Sequence, residues 1–229
     1  MRRTLLFLAL DILLVASGLF AAQGQKYSVP GQMTLEIVPG SHFENTGWFF
    51  IFPFTKGPQM AAWIEDEKGE YLETIFVTQK AGSQKWLDAP AGGRPESLPV
   101  WLARSSRGGK AVDVVTVATT TSKVEKSVDH SLVLVPGKYV VYLEVNISYD
   151  WNRTWAKDLP KTDPHYNGVN GQPSLVYRAQ IEIGHPEVMP MTPWGTGSPL
   201  GQDGVLTQGL SGLDTALEIL GSAQVTVLN

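Results

Sequence analysis

At 229 residues, with 22 acidic and 18 basic side chains and a formal net charge of −4, the chain is long enough to bury one sizeable core. It contains no cysteine, which excludes disulfides, thiolate chemistry, Cys-ligated zinc and iron–sulfur clusters. Mild acidity without a basic stripe argues against a nucleic-acid partner.

Met1-Arg2-Arg3 is a short basic head before the almost wholly apolar run 4–22, and Ala22-Gln23-Gly24 offers small residues where a signal peptidase reads. Residues 1–24 are therefore expected to be a signal peptide, giving a periplasmic or secreted product. Retention of 4–22 as a membrane anchor is the other reading, and only then is stable membrane insertion expected. Asp11 fits neither well, because a carboxylate in a membrane-inserted segment is costly.

Residues 33–38 alternate as a first strand, stopped by Pro39-Gly40. Residues 47–54 are aromatic and continuous, as a strand covered on both sides is, with Pro53 placing it at an end or edge. Residues 59–65 and 71–78 flank Asp66-Glu67-Lys68-Gly69 and read as a hairpin. Trp63 points away from Met60, Ala62 and Ile64. The polar region 80–110 holds Trp86 and Trp101, with a short helical turn in 94–101 ended by Pro99 and a basic loop over 105–110. Weak alternation over 112–119 and a short apolar run, 131–135, precede Pro136-Gly137.

Two cleaner patterns follow. Over 138–149 the odd positions Tyr139, Val141, Leu143, Val145, Ile147 and Tyr149 alternate with Lys138, Glu144, Asn146 and Ser148, which predicts one buried and one wet face. Over 174–183, Leu175, Tyr177, Ala179, Ile181 and Ile183 repeat the pattern. Between them, 150–173 is a long loop rich in Asp, Asn, Gly, Trp and Pro, the kind of segment that carries binding on a rigid sheet. Residues 185–209 are dense in Pro and Gly and read as a wrapped extension. Residues 211–220 have helical spacing, with Ser211 as N-cap and Gly221 as stop, and 223–228 is a final strand. These elements predict an all-β protein, an antiparallel sandwich of the immunoglobulin or fibronectin type over 25–184. Its extension, 185–229, holds one short C-terminal helix and a last strand packed on the sandwich.

The four histidines, at 42, 130, 165 and 185, lie in separate segments, and no G-x-S-x-G signature is present. No catalytic residues are assigned, and the protein is expected not to be an enzyme. Asp150, Asp158, Asp163 and His165 make the long loop oxygen-rich, but they match no calcium signature and read as turn-formers, so no metal is expected. Trp151, Trp155, Tyr149 and Tyr166 at the same end either stack on a ligand or plug the end of the sandwich. The candidate ligand or partner surface is Trp151, Trp155, Asp163, His165, Tyr166 and Asn170. Asn146-Ile147-Ser148 and Asn152-Arg153-Thr154 fit the N-glycosylation pattern, which matters only in a eukaryotic secretory pathway.

The segment 112–123 resembles the sequence at which a flavin transferase links FMN through a phosphoester to a threonine of bacterial extracytoplasmic electron carriers. That pattern is Asp, two variable residues, Ser or Thr, Gly, Ala and the acceptor. Asp113, Thr116, Ala118 and Thr119 fit it, and Val117 stands where the pattern has glycine. The resemblance implies Asp113, Thr116 and Thr119 as cofactor-binding residues, with Thr119 the acceptor.

Several blocks together resemble a family of predicted periplasmic bacterial proteins of unknown function. They are Ala62-Trp63-Ile64-Glu65-Asp66 with Gly69, the stretch from Arg94 to Trp101, the 113–119 segment, Pro136-Gly137-Lys138-Tyr139 with Glu144-Val145-Asn146, and the stretch from Asn167 to Tyr177. The resemblance implies an immunoglobulin-like fold, no assigned activity, and association with flavin transferases and membrane-bound reductases. The resulting expectation is a secreted, cofactor-free binding or accessory module of the cell envelope, taking an envelope protein or a small ligand. The alternatives are a covalent FMN electron carrier modified on Thr119, and a carbohydrate-binding module.

Overall fold

Alternation over Gly137–Asn146 and Leu175–Ile183 decides the architecture. These segments pair antiparallel, Val145 opposite Leu175 and Val141 opposite Ala179, with their odd positions in one buried layer. The computed structural model describes residues 24–49, 52–86, 89–107, 116–117, 124–127, 133–201 and 203–229.

In chain order the strands are β1 (Gln25–Val29), β2 (Met33–Pro39), β3 (Asn45–Phe49), β4 (Phe52–Lys56), β5 (Gln59–Asp66) and β6 (Tyr71–Thr78). Helix α1 (Gln79–Ser83), a 3₁₀ turn (Pro95–Ser97) and helix α2 (Pro99–Arg107) follow. Then come β7 (Thr116–Val117), β8 (Val124–Ser127), β9 (Gly137–Asn146), β10 (Leu175–Ile183), β11 (Glu187–Pro190), β12 (Thr192–Gly197) and β13 (Leu206–Gln208). A second 3₁₀ turn (Thr215–Glu218) leads into β14 (Leu220–Val227).

Among the described residues, one sheet has the order β11-β14-β2-β1-β8 and the other β13-β12-β10-β9-β5-β6-β7, with the hairpin β3–β4 apart. Pairing is antiparallel except at two edges, β1 with β8 and β6 with β7. The sheets face each other across Tyr27, Leu35, Ile37 and Val225 from the first and Met60, Ile64, Leu143 and Ile181 from the second, all buried. Burying each such aliphatic side chain contributes about 1.5–3 kcal/mol. Tyr27 stacks on Phe76 across the interior at 3.9 Å. The all-β antiparallel sandwich is therefore the fold.

The second sheet is covered on its outer face too. Trp63 indeed points away from Met60, Ala62 and Ile64, into a second apolar cluster with Trp101, Val100, Leu98, Val77 and Val176 under α2. The short helical turn expected in 94–101 is the 3₁₀ turn Pro95–Ser97, which ends ahead of Pro99, and Pro99 itself opens α2; the first helical N–H has no acceptor to lose, so proline suits the position. The helix also takes in residues 105–107 of the expected basic loop, whose remainder, 108–110, lies outside the described residues. It also corrects the wet face of β9. Glu144 and Asn146 are buried, because α2 and the loop 147–174 lie over them.

The expected single strand 47–54 is instead two strands of a hairpin. β1 lacked a sequence expectation, although Gln25, Tyr27 and Val29 point inward in alternation. The Pro/Gly-rich stretch 185–209 contributes β11 to one sheet and β12 and β13 to the other. The short C-terminal helix is a single 3₁₀ turn. Asp214, not Ser211, caps it by accepting the Thr215 N–H at 2.6 Å, and Leu220 already belongs to β14.

Candidate functional site

The loop 147–174 folds back on the end of the sandwich. Tyr149 N–H donates to the Val169 carbonyl at 2.8 Å and Asp150 N–H to the Asn170 carbonyl at 2.9 Å; Gln172 N–H returns to the Asp150 carbonyl at 2.9 Å. The crossing is so close that a Cβ on Gly171 would lie 2.4 Å from the Asp150 carbonyl oxygen, and its φ of +82° suits glycine. Asn152 closes an Asx turn, its Oδ1 accepting Thr154 N–H at 2.9 Å and Trp155 N–H at 2.8 Å, while its Nδ2 donates to the Gly212 carbonyl at 2.9 Å. With Asn146 buried and Asn152 bonded at both ends, neither N-glycosylation acceptor presents a free amide in the folded chain.

Arg94 ties the loop to the segment before α2. Its Nε lies 3.0 Å from Glu96 Oε1, Nη1 donates to Ser148 Oγ at 3.1 Å, and Nη2 donates to Asn170 Oδ1. Asn170 Nδ2 in turn donates to the Glu96 carbonyl at 2.9 Å. Arg94 and Asn170 are both buried, so each needs the other's polar atoms satisfied.

A second polar seam runs beneath the loop. Thr215 Oγ1 donates to Asp150 Oδ1 at 2.6 Å, and His42 Nε2 lies 3.1 Å from the same oxygen. Gln172 Nε2 donates to Thr215 Oγ1 at 2.6 Å, while Gln172 Oε1 accepts the Asp214 N–H at 2.9 Å. Burial pushes the Asp150 carboxyl above its usual range, against the Thr215 hydrogen bond and the attraction of His42. Its Oδ2 is buried with no hydrogen-bond partner.

On the solvent side, Tyr149 is 37 % exposed and takes φ = +67°, a left-handed backbone that bulky residues rarely adopt. Asn45 Nδ2 holds it by donating to the Ser148 and Tyr149 carbonyls, each at 3.1 Å. Tyr149 meets Trp151 at 5.3 Å between centroids. Lys56 Nζ stands 3.9 Å above the Tyr149 ring and Lys157 Nζ 5.2 Å above that of Trp151. The result is an aromatic shelf flanked by two ammonium groups.

The six residues expected as one surface share this loop but divide in role. Trp151 and Tyr166 are half-buried at the rim. Asp163 and the exposed His165 pair with each other, ring nitrogen to carboxylate at 3.3 Å. Trp155 is buried, with His165 edge-on to it at 5.0 Å, and Asn170 is a fully buried anchor. Trp155 thus plugs the end of the sandwich while Trp151 faces outward. Sequence reasoning missed Lys56, Lys157 and Asn45 around the shelf, and His42, Arg94, Gln172 and Thr215 beneath it. The Asn-Gly pairs at 167–168 and 170–171 signalled the turns, but nothing local signalled the long-range partners.

Asp113 and Thr119 lie outside the described residues. Thr116 opens β7, paired in parallel with Val77 at the edge of the second sheet. Among the described residues, no group of three or more His, Asp or Glu side chains converges for a metal ion, and no helix is long and apolar enough to cross a membrane. A separate groove of about 370 Å³ lies on the second sheet, lined by Lys138, Arg178, Gln180 and Glu187 among others. Arg178 is stacked on Trp194 at 4.6 Å. No protein-family model, curated protein or solved structure matches the chain.

Proposed function

We propose that the protein is a non-enzymatic binding module of the bacterial cell envelope, presenting the shelf of Tyr149 and Trp151, with Lys56 and Lys157, to an envelope protein. The observation that carries this reading is the left-handed Tyr149, fixed by two Asn45 hydrogen bonds beside a half-exposed tryptophan. Rigid aromatics with cationic neighbours give large contact area at low ordering cost, and they suit a partner surface bearing carboxylates and apolar groups. The apolar head of the sequence supports export of the chain. Photo-crosslinking from position 157 in intact cells tests the reading. Adducts that disappear in Trp151→Ala, and do not form from position 188 on the first sheet, support it. Identical adducts from both positions reject it, and adducts to glycan instead of protein favour the carbohydrate-binding alternative.

A second reading is a covalent FMN carrier modified on Thr119. Its support is the resemblance of 113–119 to a flavin attachment sequence, together with the position of Thr116 on an edge strand, three residues before the acceptor Thr119. Intact mass after co-expression with a flavin transferase tests it, and an unmodified mass rejects it.

A further inference from the structure

Beneath the shelf, His42, Asp150, Gln172 and Thr215, from three segments distant in sequence, meet in an order that chemistry can use. The Thr215 hydroxyl stands between a carboxylate and a carboxamide, 2.6 Å from Asp150 Oδ1 and 2.6 Å from Gln172 Nε2. The Gln172 side chain is anchored at one end. Its oxygen is held by the Asp214 N–H at 2.9 Å, and its backbone carbonyl accepts from Asn146 Nδ2 at 3.2 Å and Asn167 Nδ2 at 3.1 Å. Gln172 is 1 % exposed and Asp150 5 % exposed, while Thr215 is half-buried and its hydroxyl also lies 3.0 Å from Oδ1 of the exposed Asp214.

We propose that Thr215 and Gln172 form an intramolecular ester, a self-made cross-link between the long loop and the turn that leads into β14. Asp150 takes the proton of Thr215 Oγ1 as the oxygen attacks the Gln172 side-chain carbonyl carbon, after rotation of the carboxamide brings that carbon under the hydroxyl. The Asp214 N–H already touches the oxygen on which negative charge develops, so it serves the oxyanion. Asp150 then returns the proton to the departing nitrogen. The C–N bond breaks, the C–O bond remains, and one ammonia leaves for solvent, with no change of oxidation state. Dilution of ammonia drives an exchange that is otherwise unfavourable, and burial of Gln172 covers the acyl side of the ester. A nucleophile, a base and an oriented acyl group within hydrogen-bond reach is the general requirement for such acyl transfer, and fixed proximity substitutes for an external catalyst. His42, 3.1 Å from the Asp150 carboxylate, is a positioning residue that holds the base, and the unpartnered Asp150 Oδ2 is a second acceptor at the same spot. The reaction occurs once per chain, so it is compatible with a binding role and does not depend on it. In a chain with no cysteine it does the work of a disulfide.

Peptide mapping decides the matter, because the residues after Arg178 include no Lys or Arg. Trypsin under denaturing conditions therefore releases Gln172 in the peptide 162–178 and Thr215 in the following one. In the wild-type protein the two peptides are expected to travel as one species, lighter than their sum by one ammonia. Hydroxylamine is expected to split that species and leave a hydroxamate at Gln172. Thr215→Ser keeps the link, whereas Thr215→Val and Asp150→Asn lose it. Separate wild-type peptides of full mass, in freshly purified protein and after prolonged incubation at neutral pH, overturn the proposal. Loss of ammonia with the peptides still separate also overturns it, since imide formation at Asn167 or Asn170 gives that result.

Discussion

Glu144 and Trp101 meet where a strand core touches a helix start. The Glu144 Oε2 accepts the Trp101 N–H at 2.7 Å while Oε1 accepts Val100 N–H at 3.2 Å and the Ser174 hydroxyl at 2.6 Å. A carboxylate from β9 therefore caps α2, satisfying donors that the first turn of a helix leaves open.

That cap makes stability depend on pH. Burial moves Glu144 from an ordinary 4.5 up to about 7, outweighing the bonds from Ser174, Trp101 and Val100. The folded protein thus keeps its proton over a range where the unfolded chain releases it. The contribution is full below about 4.5 and is lost as pH rises through about 7, a change on the order of 3 kcal/mol. Denaturant midpoints between pH 5 and pH 8 are expected to fall in the wild type and to fall less in Glu144→Gln. Equal slopes in the two proteins would show that Glu144 does not titrate in this range. The comparison is needed because burial raises Asp150 and Glu65 as well, with the same sign.

Trp101 fills the outer cluster and donates its indole N–H to Thr74 Oγ1 at 2.9 Å. Trp101→Ala is expected to cost about 3–5 kcal/mol, as large-to-small core changes do. Trp101→Phe keeps most of the packing and loses one hydrogen bond, about 1 kcal/mol. Urea unfolding of the two variants checks the order, and equal losses would mean the packing contribution is misassigned.

The two loop tryptophans are expected to separate binding from folding. Trp151→Ala should weaken partner capture by about 1–4 kcal/mol with an unchanged unfolding midpoint. Trp155→Ala should lower the midpoint because it empties the plug. Trp155→Phe should be close to neutral, since it removes an indole N–H that is buried without a partner. Calorimetric scans alongside binding titrations read both quantities.

Asn170→Ala leaves the Arg94 guanidinium and the Glu96 carbonyl each short of a buried partner. A loss of roughly 1–3 kcal/mol is expected, the cost of desolvated groups left unpaired. Hydrogen exchange should show it as faster opening of 147–174 with β5 and β9 still protected. Global acceleration instead would place Asn170 in the main folding unit.

The strands of the two-sided core were legible from local signals: alternation marks Met33–Pro39, Gly137–Asn146 and Leu175–Ile183, and the acidic turn Asp66-Glu67-Lys68-Gly69 marks the hairpin of Gln59–Asp66 and Tyr71–Thr78. The opposite orientations of Trp63 and Ile64 followed from the same period. Where a second layer intervenes, the rule inverts. Glu144 and Asn146 look solvated until α2 and a distant loop are known to lie over them. Edge strands such as β11 and β13 pair on one side and tolerate Pro and Gly nearby, so their composition resembled a loop. The rim residues Trp151 and Tyr166 were visible as loop aromatics. The seam of His42, Asp150, Gln172 and Thr215 was not, because sequence spacing says nothing about three segments that meet only in the finished fold.

β14 lies between β2 and β11, with Val227 opposite Met33. The first sheet thus sets β14, the last described strand in chain order, beside β2, and pairing segments so far apart in sequence slows folding. On that flank Ile37 is opposite Ala223 and Leu35 opposite Val225. A chain cut before β14 would therefore keep β2 paired to β1 alone, with one edge of the first sheet left open.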